Sequence, residues 1–285
     1  MRALTFATIV AAMAVTGCGG ANEVPLAKVN RAVLQKTDPI WQHAWFEVAR
    51  IPLSSATSLP EIRRGDPSLK AIALTFDDGP HGPNTLRLLD ILKHKNVRAT
   101  FFVVGKMAKR HPELVRAIAK AGMEIGNHTF SHVTLTHISE EEARADYQAC
   151  NDIIESLTGQ RPHLCRPPGG DSDRNVIKAG ASLGMTSVMW TTDPGDYDLP
   201  GTDAIHDRTF AELKTGGILL LHDGIAEMLD ILPSIIDEIR ARGFKIVTAG
   251  ELIDLTAKTR QKMREAALQK PAKVVPTYAM SRIAR

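Results

Sequence analysis

The chain has 285 residues and a formal net charge of +3, with 44% hydrophobic and 24% charged residues, which is globular composition sufficient for one large α/β domain with extensions. The basic residues are dispersed and collect on no single helix face, so nucleic acid is set aside as a partner. Beyond the N-terminus no stretch approaches the ~20 apolar residues a spanning helix needs.

Residues 1–17 read as an export signal: one positive residue, Arg2, a short apolar run over Leu4 to Val15, and small residues before Cys18. The sequence Val15-Thr16-Gly17-Cys18 resembles the lipobox of bacterial lipoproteins, in which the cysteine becomes the lipidated first residue of the mature protein. The expectation is a membrane-anchored lipoprotein facing the periplasm or cell exterior, touching membrane only through that lipid. Residues 18–69 carry Pro25, Pro39, Pro52, Pro60 and Pro67, with an apolar patch around Ile40, Trp41, Trp45 and Phe46, and read as a tether with one short docking helix.

From Ala71 onward short β-type runs alternate with amphipathic helical ones. Strands are expected at Ala71 to Phe76, Ala99 to Val104, Met123 to Asn127, Leu164 to Arg166, Ser187 to Thr191, Ile218 to Leu221 and Lys245 to Thr248. Helices are expected at Thr85 to Lys95, Pro112 to Lys120, Ser139 to Leu157, Asn175 to Leu183, Phe210 to Lys214 and Leu229 to Arg242. Ser139 followed by Glu142 is a capping box, and Gly122, Gly159, Gly184 and Gly243 stand where helices end. This alternation argues for an α/β fold of parallel strands with crossover helices: first a distorted parallel (β/α) barrel of seven to eight units, second an open doubly wound sheet. A single catalytic domain over residues 70–257 is expected, then one more helix and a basic C-terminal tail within 258–285.

Chemistry-bearing residues gather at the strand ends. Asp77 and Asp78 close the first apolar run, and because successive strand residues point to opposite faces they can take different jobs in one site. His128 and His132, four apart after the third strand, have a spacing that suits a metal, with a third ligand available from the Asp77-Asp78 pair; two capping histidines are the alternative. Arg166 ends the fourth strand, placed to hold a buried carboxylate, and is followed by Pro167, Pro168, Gly169 and Gly170, whose backbone can approach a ligand closely. Asp196 and Tyr197 follow the fifth strand. His222 ends the sixth as a candidate acid or base that Asp196 could orient. The C-terminal strand ends of such barrels form active sites.

In this order TFDDGP, HTFSH, RPPGG, DPGDY and LLH resemble the five motifs of the polysaccharide deacetylase family, carbohydrate esterase family four, which includes the chito-oligosaccharide deacetylases; the match runs from about Lys70 to Leu255. The resemblance implies a hydrolase that removes acetyl groups, mostly N-acetyl from amino sugars and sometimes O-acetyl from xylan, with a divalent metal, usually Zn2+ but also Co2+ or Ni2+. It implies Asp78, His128 and His132 as metal ligands, Asp77 as general base with Arg166 as its partner, and His222 as general acid oriented by Asp196. It also puts Pro168, a backbone N–H near Gly169, Tyr197 and His81 at the substrate and oxyanion positions. Two departures stand out: the family usually has an aromatic residue where Gly169 stands and a tryptophan where Tyr197 stands, so the substrate wall is altered while the reacting groups are intact.

The expected function is N-deacetylation of an envelope amino-sugar polysaccharide, peptidoglycan or an exopolysaccharide. The alternatives are O-deacetylation of xylan and a catalytically silent glycan-binding protein of the same fold. A metalloprotease is disfavoured because no HExxH helix occurs. Export, with Cys18 consumed by lipid, leaves Cys150 and Cys165, and a disulfide between them is expected, worth about 3 kcal/mol for a loop of this length.

Overall fold

The computed structural model describes residues 61–268. The export signal, Cys18, most of the tether and the end of the basic tail lie outside the described residues. Strand β2 (Ala71–Asp77) is buried at every position, and its side chains alternate between two environments. Ile72, Leu74 and Phe76 face outward into a layer of helices, among Leu88 and Leu92 of α1 (Gly82–His94) and Leu229, Leu232 and Ile236 of α7 (Ala226–Ala241). Ala71 and Ala73 face a smaller inner cluster with Phe102, Leu164, Val188, Ile218 and Leu252. Thr75 and Asp77 share that inner parity, so the strand delivers a carboxylate to the interior side of its own end.

Every strand pairing is parallel, in the order β1 (Glu61–Ile62), β6 (Thr186–Val188), β5 (Leu164–Cys165), β4 (Glu124–Asn127), β3 (Thr100–Val103), β2, β7 (Gly217–His222). β7 pairs with residues 72–77 of β2, while β3 pairs with 75–76 and β8 (Lys245–Val247) with 71–73. A strand has two edges, so β3 and β8 share the second. The ring closes just past β6, where Thr192 bridges Leu219 and its carbonyl accepts from the Leu220 amide at 3.0 Å. This is the expected distorted parallel barrel rather than the open sheet.

The expected helices are present, with others that the pattern missed. Ser139 and Glu142 cap α4 (Glu140–Thr158) reciprocally, and Gly159 ends it at φ 71°. α3 (Pro112–Lys120) and α5 (Arg174–Ser182) match their patterns. The six-residue α2 (Gly105–Arg110) is too short to show a period, and α6 (Thr202–Glu212) begins well before the short segment expected there. The domain boundaries also move outward. β1 lies within the segment read as tether: Met189 N donates to Ile62 O at 2.8 Å and Gly65 N to Gly216 O at 2.8 Å, so two residues with no readable period join the sheet. α8 (Ala249–Leu268) runs past residue 257, held at its start by a Thr248–Glu251 capping box and by Leu252 in the inner cluster. Among the described residues no helix is long and apolar enough to cross a membrane.

Candidate active site

The inner parity of β2 meets Arg166 just past β5. Arg166 is fully buried and donates from Nη1 to Asp77 Oδ1 at 2.7 Å and to Thr75 Oγ1 at 3.0 Å, from Nε to Val188 O at 2.8 Å and from Nη2 to Met189 O at 3.3 Å. Its guanidinium lies 4.2 Å from the Phe102 ring centroid and 5.5 Å from that of Trp190. Burial pushes the guanidinium pKa down and the Asp77 charge opposes that. With Oδ1 held, Asp77 presents Oδ2 toward His128 Nε2, 3.8 Å away. Thr75 was not singled out from sequence; its inward parity, two residues before Asp77, is the signal that could have found it.

Asp78 leaves the strand at φ 72°, which turns its carboxylate away from Asp77 toward the loop after β4. There His128 Nε2 lies 3.3 Å and His132 Nε2 2.9 Å from Asp78 Oδ1. One ligand atom from each of the three lies within 4.8 Å of the others. The donor chemistry fits a divalent metal: His128 Nδ1 stands 2.7 Å from Arg166 O, and since a carbonyl only accepts, Nδ1 carries the proton and Nε2 offers its lone pair to the group. Burial raises the Asp78 carboxyl, and the two imidazoles beside it overcome that, holding the group well below the usual carboxylate range. The bond to Asp78 raises the His132 imidazole in turn. Thr129 and His132 take positive φ, 66° and 58°. Such conformations in non-glycine residues cost of order 1–3 kcal/mol each and persist only where the surroundings hold them.

Asp77 and His222 are register partners on β2 and β7, so the two sit side by side at the rim. Fully buried Asp196 grips His222 twice, Oδ1 at 2.7 Å from Nδ1 and Oδ2 accepting from the backbone N at 2.8 Å. Burial lowers the His222 pKa, but Asp196 outweighs it and the net shift is upward. Nδ1 being engaged, Nε2 is the nitrogen free to face a ligand. Tyr197 stands edge-on to His222 with centroids 5.1 Å apart and is 50% exposed. Asp193, which opens the DPGDY stretch, is raised by burial while its Oδ1 accepts from Gly195 N at 2.9 Å.

The loop after Arg166 turns through Gly169 (φ 64°) and Gly170 (φ 68°). A Cβ on Gly169 would meet only Asp171 Oδ2 at 3.9 Å, whereas one on Gly170 would strike the Trp190 ring at 2.5 Å, so the loop lies flat over Trp190 and opens beside Gly169. Pro168 is buried beneath the turn. His81 packs under Gly224, its pKa lowered by burial, next to Asp223, whose carboxyl burial pushes up to about 6.

The expected disulfide is absent. Cys150 and Cys165 are free, buried thiols whose sulfurs face different partners: Cys150 Sγ donates to Val103 O at 3.3 Å on the β3 side of α4, and Cys165 Sγ lies 3.6 Å from Ser187 Oγ. The two side chains turn toward separate neighbours. Burial raises both, Cys165 to about 11, so both stay protonated and inert at neutral pH.

A family model for polysaccharide deacetylases matches residues 64–188, which include Asp77, Asp78, His128, His132 and Arg166. A peptidoglycan-N-acetylglucosamine deacetylase of Bacillus cereus is 36% identical over 189 residues, 65% of this chain and 88% of that protein. The chain belongs to the polysaccharide deacetylase family. Another polysaccharide deacetylase, the peptidoglycan-N-acetylmuramic acid deacetylase PdaC of Bacillus subtilis, is 37% identical over 216 residues, 75% of this chain; the chain spans 44% of PdaC. The structure of BA3943, a pseudoenzyme of carbohydrate esterase family four from Bacillus anthracis, matches with TM-score 0.67 and 31% identity over 69% of each chain. A deacetylase backbone therefore does not itself imply turnover, and the case for turnover lies in the side chains at the rim.

Proposed function

We propose that this polysaccharide deacetylase removes N-acetyl groups from an amino-sugar polysaccharide of the bacterial envelope, peptidoglycan first. The observation that carries the reading is the junction of the Asp77–Arg166 pair, the Asp78, His128 and His132 group, and the His222–Asp196 pair at one rim. Two imidazoles and a carboxylate make a donor set suited to zinc with a position left for water. When bound there, the metal would polarise the acetyl carbonyl and lower the pKa of water.

The chain's own residues supply the rest. Asp77, held at Oδ1 by Arg166, takes the proton from water on Oδ2, and the guanidinium compensates its buried charge. His222, protonated at Nε2 and held through Nδ1 by Asp196, donates to the departing nitrogen. The Gly170 and Asp171 amides donate within the turn to Pro167 O and Pro168 O, which leaves the Gly169 amide to meet the oxyanion. Tyr197 and His81 line the cleft.

The opening beside Gly169 suits a sugar carrying a substituent, such as the lactyl-bearing muramic residue that names PdaC. Lipidation at Cys18 and a tether over residues 18–60, spanning at most ~3.3 Å per residue, would keep the domain near the membrane and its substrate in the envelope. Acetate release by the zinc-loaded chain from peptidoglycan, chitin oligomers and acetyl-xylan tests the reading. Release from peptidoglycan is expected; release from acetyl-xylan alone would overturn it.

A further inference from the structure

His128 and His132 reach the metal group from different circumstances. His128 is buried and its ring is fixed by the Arg166 carbonyl. The His132 side chain is 42% exposed, and its ring meets only Asp78 and the edge of the metal group itself, the His128 ring at 5.1 Å between centroids. Its position therefore depends on the loop that carries it, whose backbone is left-handed at Thr129 and His132.

Three anchors hold that loop. From below, Asn127 Oδ1 accepts from Thr129 N at 2.7 Å, and Asn127 Nδ2 is fixed by Tyr147 O and Asn151 Oδ1, both at 2.8 Å. From the side, Gly105 N and Lys106 N at the start of α2 donate to Thr129 O and Phe130 O, both at 2.9 Å. That approach needs glycine, since a Cβ at 105 would lie 2.9 Å from the Phe130 backbone. The third anchor is a single carboxylate on α4. Asp146 Oδ1 accepts from Phe130 N at 2.5 Å and Ser131 N at 3.1 Å, while Oδ2 accepts from the Ser131 hydroxyl at 2.5 Å. These donors belong to the two residues immediately before His132, and each would otherwise have to find water in a part-buried loop.

We propose that Asp146 is a positioning residue for the metal site: by gathering three donors of the loop it fixes the exposed His132 against Asp78. The proposal rests on the reading of Asp78, His128 and His132 as metal ligands. Its mechanism is geometric. Asparagine should replace Asp146, its carbonyl oxygen accepting from the two amides and its NH2 meeting the Ser131 hydroxyl, whereas alanine should not.

The test measures zinc affinity by chelator competition, and the rise in melting temperature on zinc addition, for the purified full chain and for Asp146→Ala, Asp146→Asn, Ser131→Ala and His132→Ala. Groups that orient metal ligands typically change affinity about 10–100-fold when removed, so Asp146→Ala is expected to bind zinc at least about tenfold more weakly, approaching His132→Ala. Asp146→Asn should stay close to wild type, and Ser131→Ala, which loses one of the three bonds, should fall between; that variant also serves if the alanine at 146 does not fold. A general stabilising role would instead lower the zinc-free melting temperature while leaving zinc affinity and the zinc-induced rise unchanged in Asp146→Ala and Ser131→Ala, and would overturn the proposal alone. No saturable zinc site in the wild-type chain would overturn the metal reading and the proposal together.

Discussion

Arg166 and Asp77 meet inside the barrel, the arginine donating to two other strands, β2 and the end of β6, whereas Gly169 and Tyr197, which stand after the same strands or their neighbours, lie at the surface. The difference lies in what fixes each residue. Strand parity and burial determine Asp77, Thr75 and Arg166, because every other residue of β2 must face inward and a buried carboxylate needs a partner. Gly169 and Tyr197 sit in turns with positive φ at or near them, Gly169 beside open space and Tyr197 half exposed, so side chains there can change without disturbing the barrel. In the proposed reading, the buried pair fixes the base while the exposed wall at the rim selects the substrate.

The largest effect is expected from Asp77→Asn, which keeps the shape and a hydrogen-bonding oxygen for Arg166 but removes the base. Acetate release should fall by about 10²–10⁴-fold, the range of a general base, while bound zinc is unchanged. Loss of metal together with activity would move Asp77 into the ligand set.

Arg166→Met should be felt throughout the molecule. It leaves Asp77 buried without its partner, and breaking a buried ion pair in this way costs about 3–5 kcal/mol, read as a large drop in the denaturant midpoint. A variant as stable as wild type would mean that the guanidinium does not compensate the carboxylate.

Asp196→Asn should act through pH. Asp196 holds the folded His222 pKa above its ordinary value against the effect of burial, so the imidazolium persists to higher pH. That contribution to stability is fully present below the unfolded pKa and is lost as pH rises through the folded one. Without Asp196 the alkaline limb of kcat/KM should move to lower pH, with KM little changed. An unmoved limb would remove His222 from the acid role.

Gly169→Tyr is expected to give the smallest change, and to alter preference rather than rate. Filling the opening should lower activity on muramic residues relative to glucosamine residues by about 10–200-fold, the discrimination one small apolar group can supply. The aromatic must also adopt φ near 64°, so tyrosine should cost some stability; leucine at the same position controls for that strain. An unchanged ratio in both would mean the wall does not select the sugar.

Much of the fold and of the candidate site was legible because the signal sits at strand ends. A buried strand reads as a continuous apolar run, and the polar residues that interrupt it, Asp77, Arg166 and His222, therefore stand out. What was not legible depends on the turning of side chains or on very short elements. β1 has two residues and α2 six, too few to carry a period. Asp146 looks like any polar residue on an amphipathic helix until the loop after β4 folds back onto it. The cysteines were misjudged for the same reason: Cys150 turns to Val103 and Cys165 to Ser187.

In the proposed reading one metal is held at the rim by Asp78, His128 and His132, between a base and an acid drawn from adjacent strands. X-ray absorption at the zinc edge on the metal-loaded chain tests it most directly. A first shell of nitrogen and oxygen only is expected, at about 2.0–2.2 Å, with the imidazole signature of two histidines, falling to one in His132→Ala. A sulfur shell near 2.3 Å, or two imidazoles persisting in His132→Ala, would contradict it.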